Sequence, residues 1–197
     1  MEEENKKGYH GTKLENALNI VKNQTFIFNP DDNNELFLGA GVYFYYDRLD
    51  AIEWNIKDYR DKNNYNFPEY KDLLDCYSIV ETDLVINKGN ILDLDDREGF
   101  IKYKEIVKNI KDFLKTIEDY KDKNELATII NYLYKLGIMD NIYAIKKTFP
   151  FSIHNNYGAR GIQKLMICIK KIDILSNFIL SEKIKINEYK MLKVLYR

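Results

Sequence analysis

The sequence predicts an α+β fold. Three observations carry this prediction. Strand and helix signals mix over residues 8–94, helical periodicity runs through 97–149, and a continuous apolar strand follows at Leu165-Met166-Ile167-Cys168-Ile169. The 197 residues are 45% hydrophobic and 31% charged, enough apolar material for a real core and too much for a disordered chain. We read residues 1–197 as a single domain carrying a helical insertion at about 97–149.

Thirty basic residues against 31 acidic ones exclude a general nucleic-acid coat protein, whose affinity comes from neutralising phosphates. Two cysteines, Cys76 and Cys168, make no disulfide framework. Both lie in apolar runs and read as small buried thiols. The charged start, MEEENKK, has no apolar stretch behind it, so no secretory leader is expected. No apolar run reaches the ~20 residues of a membrane span. The expectation is a cytoplasmic protein without a membrane partner.

Taken in order, Gly8-Tyr9-His10-Gly11-Thr12 reads as a turn-rich stretch. It opens a helix with apolar positions Leu14, Ala17, Leu18 and Val21, and Thr12 with Glu15 fits a capping box at its start. Phe26 and Phe28 lead into a loop at Pro30–Asn34. Gly39-Ala40-Gly41 then precedes a strand containing Val42-Tyr43-Phe44, and a glycine pair there implies a close backbone approach. A helix from about Leu49 carries Ala51 and Trp54. Tyr77 to Ile86 reads as a strand pair or one long strand, and Asn87-Lys88-Gly89-Asn90 turns into another short one. In the helical zone, Tyr103, Ile106, Ile110, Phe113, Ile117 and Tyr120 repeat at helical spacing, as do Leu126, Ile129, Ile130 and Leu133. Gly137 suits a C-cap, and Asp140 is a candidate N-cap for a third short helix. The lysine-rich end, KIKINEYKMLKVLYR, alternates apolar and charged residues and reads as a strand with one wet face. Asp93, Asp95, Asp96 and Glu98 follow no metal-cage spacing and read as a solvated helix start.

Taken singly, the chemistry-bearing residues are bland. A lone histidine in a turn is ordinarily solvated, G-x-G has many uses, and Tyr43 and Trp54 are core residues by default. Together they form a pattern: Tyr9-His10-Gly11-Thr12, an amphipathic helix, Leu38-Gly39-Ala40-Gly41-Val42-Tyr43-Phe44, then Trp54 eleven residues after Tyr43. In order and spacing this resembles the NAD site of the ADP-ribosyltransferases, specifically the diphtheria-toxin and poly(ADP-ribose) polymerase branch with its His-Tyr-Glu triad. The resemblance covers residues 8 to about 60 closely and 160–180 more loosely. It implies a split antiparallel β-sheet core, with NAD as the bound substrate and no metal.

The resemblance also implies roles. His10 would hydrogen-bond the adenosine ribose, and Gly11 would offer backbone groups to the nicotinamide carboxamide. Thr12 would contact a ribose hydroxyl, unless it serves only as the helix cap. Tyr43 and Trp54 would sandwich the flat cationic nicotinamide ring. The family's late-strand glutamate falls here on Gln163, so the triad reads His10, Tyr43, Gln163. A glutamine accepts a hydrogen bond but supplies neither charge nor a base. Three alternatives stay open: an acceptor reactive enough without a base, a base supplied by the substrate, or an inactive NAD binder. Chain elongation to a polymer is not expected.

The stretch from Phe151 to Ile162 reads as a polar loop. Tyr157 and Arg160 in it are candidates to meet an acceptor, and Arg160 equally to grip the NAD pyrophosphate. The expected activity is mono-ADP-ribosyl transfer from NAD to a macromolecular acceptor, either a protein side chain or a base of single-stranded nucleic acid. By analogy with freestanding domains of this kind, the setting would be an intracellular bacterial toxin of a toxin–antitoxin pair or a phage-defence effector, with a neutralising antitoxin as a partner. The rivals are an NAD glycohydrolase, a non-catalytic NAD or ADP-ribose binding module, and an interaction module built on the helical zone.

Overall fold

A computed structural model of the chain describes residues 2–27, 37–114, 125–155 and 158–196. Side chains at 111–114, 125, 151–155 and 158–162 lie outside the description. The elements run β1 (Glu3–Lys13), α1 (Leu14–Asn23), β2 (Val42–Tyr45), α2 (Arg48–Lys62), α3 (Tyr70–Cys76), β3 (Tyr77–Asn87), β4 (Ile91–Asp93), α4 (Arg97–Leu114), α5 (Glu125–Lys135), β5 (Ala144–Asn155), β6 (Gly158–Ile169), β7 (Leu175–Leu180) and α6 (Ile186–Leu195). The fold is mixed α+β. The seven strands form one open sheet in the order β4-β5-β6-β2-β1-β3-β7, antiparallel throughout except between β4 and β5.

The helical stretch has a topological reason. Parallel neighbours need a crossover, and α4 and α5 supply the one between β4 and β5. They bury Tyr103, Ile129, Ile130 and Leu133 against Leu38, Ile145 and Cys168. Asp96 caps α4 by accepting from the Glu98 and Gly99 amides at 3.0 and 3.2 Å. The end of α5 is a Schellman turn: Ile138 N–H reaches Leu133 C=O and Gly137 N–H reaches Tyr134 C=O, both at 2.9 Å. No helix starts at Asp140, and the helical zone stops at Lys135, because 144–155 is strand.

Two further cores complete the packing. Phe44, Val80, Leu84, Ile167 and Phe178 gather with Ala17 of α1 and Phe26. Tyr45, Ile79 and Met166 gather with Ala51, Ile52 and Ile56 of α2, Leu73 of α3, and Tyr189 and Leu192 of α6. Among the described residues no helix is long and apolar enough to cross a membrane.

Several expectations need correction. The turn-rich reading of Gly8–Thr12 fails, because these residues and the charged stretch from Glu3 belong to one strand, β1. Its ladder with β3 runs unbroken from Glu3↔Asn87 to Lys13↔Tyr77, so backbone pairing rather than an apolar pattern makes it a strand. Cross-strand ion pairs support it, with Lys7 Nζ 3.1 Å from Glu81 and 2.8 Å from Asp83. Thr12 therefore caps nothing. Helix α1 starts behind Lys13, whose side chain makes no capping bond. The lysine-rich end holds helix α6, Ile186–Leu195, and not a strand with one wet face. Its buried Tyr189 and Leu192 sit three apart, on the helical period. Cys76 ends α3 and is exposed, whereas Cys168 is buried as expected. Within the expected polar loop, 151–155 and 158–162 are instead the far ends of β5 and β6, paired out to Asn155↔Gly158.

Candidate functional site

Strands β1 and β2 share one pair, Tyr9↔Tyr45. The same antiparallel register would next pair His10 with Phe44 and then Gly11 with Tyr43, and neither pair forms. The His10 side chain spans the gap instead, with Nδ1 2.8 Å from the Tyr43 carbonyl oxygen. A carbonyl only accepts, so Nδ1 carries the proton and Nε2 is left as an acceptor. The ring lies edge-on to Phe26, with centroids 5.0 Å apart, and 5.8 Å from Phe44. Burial among these rings pushes the imidazole below its ordinary pKa of 6.5, only partly opposed by the Tyr43 carbonyl. His10 is neutral at pH 7.

A cleft of about 430 Å³ occupies this parting of the sheet. His10, Gly11 and Thr12 from β1 line it, with Tyr43 and Tyr45 from β2, Trp54 from α2 and Met166 from β6. Helix α1 forms the opposite wall with Asn16, Asn19, Ile20 and Asn23, continued by Thr25, Phe26 and Ile27. None of the described lining residues is Lys, Arg, Asp or Glu. The cleft is apolar and aromatic with neutral amide and hydroxyl groups.

Tyr43 is fixed at both ends. Its hydroxyl donates to the Gly39 carbonyl at 2.6 Å and accepts from the Leu38 amide at 2.8 Å. Burial drives the phenol far above its usual range, so Tyr43 presents a ring and exchanges no proton near neutrality. The glycine pair before it makes the close approach the sequence implies, but to protein. A Cβ on Gly39, at φ +76°, would press on the Asn131 side chain, and one on Gly41 would lie 2.5 Å from Cys168 Sγ. Asn131 Oδ1 in turn accepts from the Ala40 amide at 2.7 Å. Lys170 Nζ donates to the Leu38 carbonyl at 2.8 Å and to that of Ala40. Gly11 is also tight: a Cβ there would lie 2.7 Å from Asn55 Oδ1 and closer still to the Ala51 carbonyl.

Behind Tyr45 and Trp54 sits a buried charge cluster. Lys164 of β6, 4% exposed, pairs with Glu53 and lies 3.2 Å from Asp50, both on α2. Tyr196 donates to Glu53 at 2.8 Å, which ties α6 to the same helix. Desolvation raises the Asp50 carboxyl above its ordinary value, against the pull of Lys164.

The fold thus brings His10, Gly11, Thr12, Tyr43 and Trp54 to one cleft. Gln163 stands apart. It is exposed, about 10 Å along β6 from Met166, and it alternates onto the face of Ile167 rather than that of Met166. The β6 residue that follows Met166 outward on the Tyr45 face is Lys164. Arg160 has its backbone in β6 and its side chain outside the description, and Tyr157 lies outside the described residues. The described residues hold no group of three or more His, Cys, Asp or Glu able to take a metal. The α1 wall was overlooked at the level of sequence, although Asn16, Asn19 and Asn23 recur at i, i+3, i+7 opposite the apolar stripe.

No family model matches the chain, and no solved structure matches it. Over 149 residues it is 25% identical to an uncharacterized protein of Methanocaldococcus jannaschii. The match covers 74% of this chain and 65% of that protein, so the chain spans less than two thirds of its relative's length.

Proposed function

We propose that the cleft binds NAD and that the protein is a mono-ADP-ribosyltransferase acting on a macromolecular acceptor. One observation carries this reading. His10, Gly11, Thr12, Tyr43 and Trp54 come from three separate elements and line a single cleft at the parting of β1 and β2. The neutral, aromatic lining suits a flat cationic ring held by stacking. Neutral His10 offers Nε2 to a ribose hydroxyl, since its Nδ1 is spent on Tyr43.

In the proposed reaction the bond between ribose C1′ and the nicotinamide nitrogen breaks. Its electron pair neutralises the pyridinium, which leaves as nicotinamide. The acceptor nucleophile bonds to C1′ and releases its proton to solvent. The transition state is oxocarbenium-like, and holding the dinucleotide across the cleft supplies the geometry for attack. What supports a split-sheet core of the ADP-ribosyltransferase type is that β1 and β2, neighbours within the one open sheet, share only the pair Tyr9↔Tyr45.

The position of Gln163 favours a second reading. With no carboxylate among the described lining residues, a non-catalytic NAD-binding module fits the same cleft. Nicotinamide release separates the two. The transferase releases it only with acceptor present, whether lysate protein or RNA, and fails in Tyr43→Ala. A binding module is stabilised by NAD and releases none. Acceptor-free release identifies a glycohydrolase. The setting we propose, an intracellular toxin or phage-defence effector, is tested by induced expression. Growth should stop with the wild type and continue with Tyr43→Ala.

A further inference from the structure

The α1 wall has a chemistry of its own. Asn16, Asn19 and Asn23 present three amides in a row about 10 Å long on the cleft side of the helix. Asn16 is occupied locally, donating to Thr12 Oγ1 at 3.5 Å. The Asn19 and Asn23 amides bond no described residue. Beside them Ile20, Phe26 and Ile27 supply an apolar surface, and Ile27 is 93% exposed. Apolar faces with neutral amides at the edge are what a purine ring requires.

An asparagine amide sets a carbonyl acceptor beside an NH₂ donor. Adenine sets an N6–H donor beside the N7 acceptor, so the two match in both bonds. A 6-oxopurine sets O6 and N7, two acceptors, on the same edge and matches in one. From these placements we infer that Asn19 and Asn23 are specificity determinants that read the N6/N7 edge of the base and so select adenine over 6-oxopurines at the α1 end of the cleft. The inference rests on the cleft being a dinucleotide site, with the nicotinamide at the Tyr43–Trp54 end.

The test measures dissociation constants of the full chain for NAD, its hypoxanthine analogue, AMP and nicotinamide mononucleotide. The wild type is compared with Asn19→Ala, Asn23→Ala and the double variant. Both asparagines are exposed and alanine is a good helix former, so the variants keep α1. The wild type is expected to prefer NAD to the hypoxanthine analogue by about tenfold, as one bidentate pair provides. The double variant should bring that ratio near one and leave the mononucleotide affinity unchanged. Equal affinities in the wild type, or a preference that survives the double variant, would overturn the assignment. AMP binding that is lost in the double variant, with no NAD or mononucleotide binding, would uphold the base site and overturn the dinucleotide reading. Binding of none of the four would overturn both.

Discussion

Gly11 offers the sharpest separation between a residue shaped by packing and one shaped by a ligand. The resemblance explains a glycine there by a ligand's need for bare backbone, whereas the structure gives a reason that needs no ligand. A Cβ at Gly11 would stand 2.7 Å from Asn55 Oδ1 and 3.1 Å from Asn55 Cγ, and closer still to the backbone carbonyl of Ala51. Ordinary contacts of this kind are about 3.5 Å, so in Gly11→Ala helix α2 must retreat by about an ångström. Forcing a methyl into such a packed junction costs about 1–3 kcal/mol. The stiffer unfolded chain returns about 0.4–1 kcal/mol of this. The net loss is about 1–2 kcal/mol, or a fall in Tm of roughly 2–8 °C at 2–4 °C per kcal/mol for a domain of this size. Thermal unfolding without ligand measures it. Gly89→Ala is the control, since a Cβ there would meet only Asn87 Oδ1 at 3.4 Å and should leave Tm within about 2 °C. If Gly11→Ala melted with the wild type and lost only NAD affinity, the packing argument would be refuted and the glycine assigned to the ligand.

Three further outcomes follow from the same geometry. Tyr43→Phe loses the bonds to Gly39 and Leu38, about 1–2 kcal/mol of stability in a denaturant melt, yet keeps the ring and therefore NAD affinity; Tyr43→Ala loses both. Lys164→Met strands buried Glu53 and should cost about 3–5 kcal/mol, with most of it recovered in Lys164→Met/Glu53→Gln; additive losses in this cycle would contradict a shared ion cluster. His10 has a folded-state pKa below 6.5, so as pH falls the unfolded chain takes up its proton first. Its stabilising contribution is complete above pH 6.5 and is lost as pH drops through 6.5 towards the lower folded value, by at most about 1.4 kcal/mol per pH unit. His10→Gln should flatten the Tm profile across that window, and an unchanged profile would mean the imidazole is not buried neutral.

What was legible in the sequence follows from where local signals agree with tertiary ones. The helix at Leu14–Asn23 and the long strand Tyr77–Asn87 carry strong apolar periods and stand close to where those periods place them, and Arg48–Lys62 is found from its few apolar positions around Ala51 and Trp54. Strand β1 was hidden because Glu3–Lys7 is polar at every position and is held by its neighbours' backbone. The first half of β5 was hidden because its apolar residues continue the texture of the helical zone. Pro150 sits in this strand without penalty because β4 pairs only as far as Lys146, leaving an open edge beyond. Helix α6 was disguised by a few alternating residues before Tyr189 and Leu192 establish the helical period. At the site, the His10 and Tyr43 motifs were visible as short strings. The amides of α1 and the Lys164–Glu53–Asp50 cluster were not, because their meaning depends on which elements meet. Thr12 shows the converse, since a capping pattern locally valid in sequence is overridden when the strand runs on to Lys13.

The central claim is that the parting of β1 and β2 is an NAD site that transfers ADP-ribose. The most direct measurement is nicotinamide release from NAD by the purified chain, alone and with protein or RNA acceptor, beside Tyr43→Ala and Trp54→Ala. The account predicts release that requires one class of acceptor and disappears in both variants. Release that persists in both variants, or no release and no binding of NAD by the wild type, would contradict it.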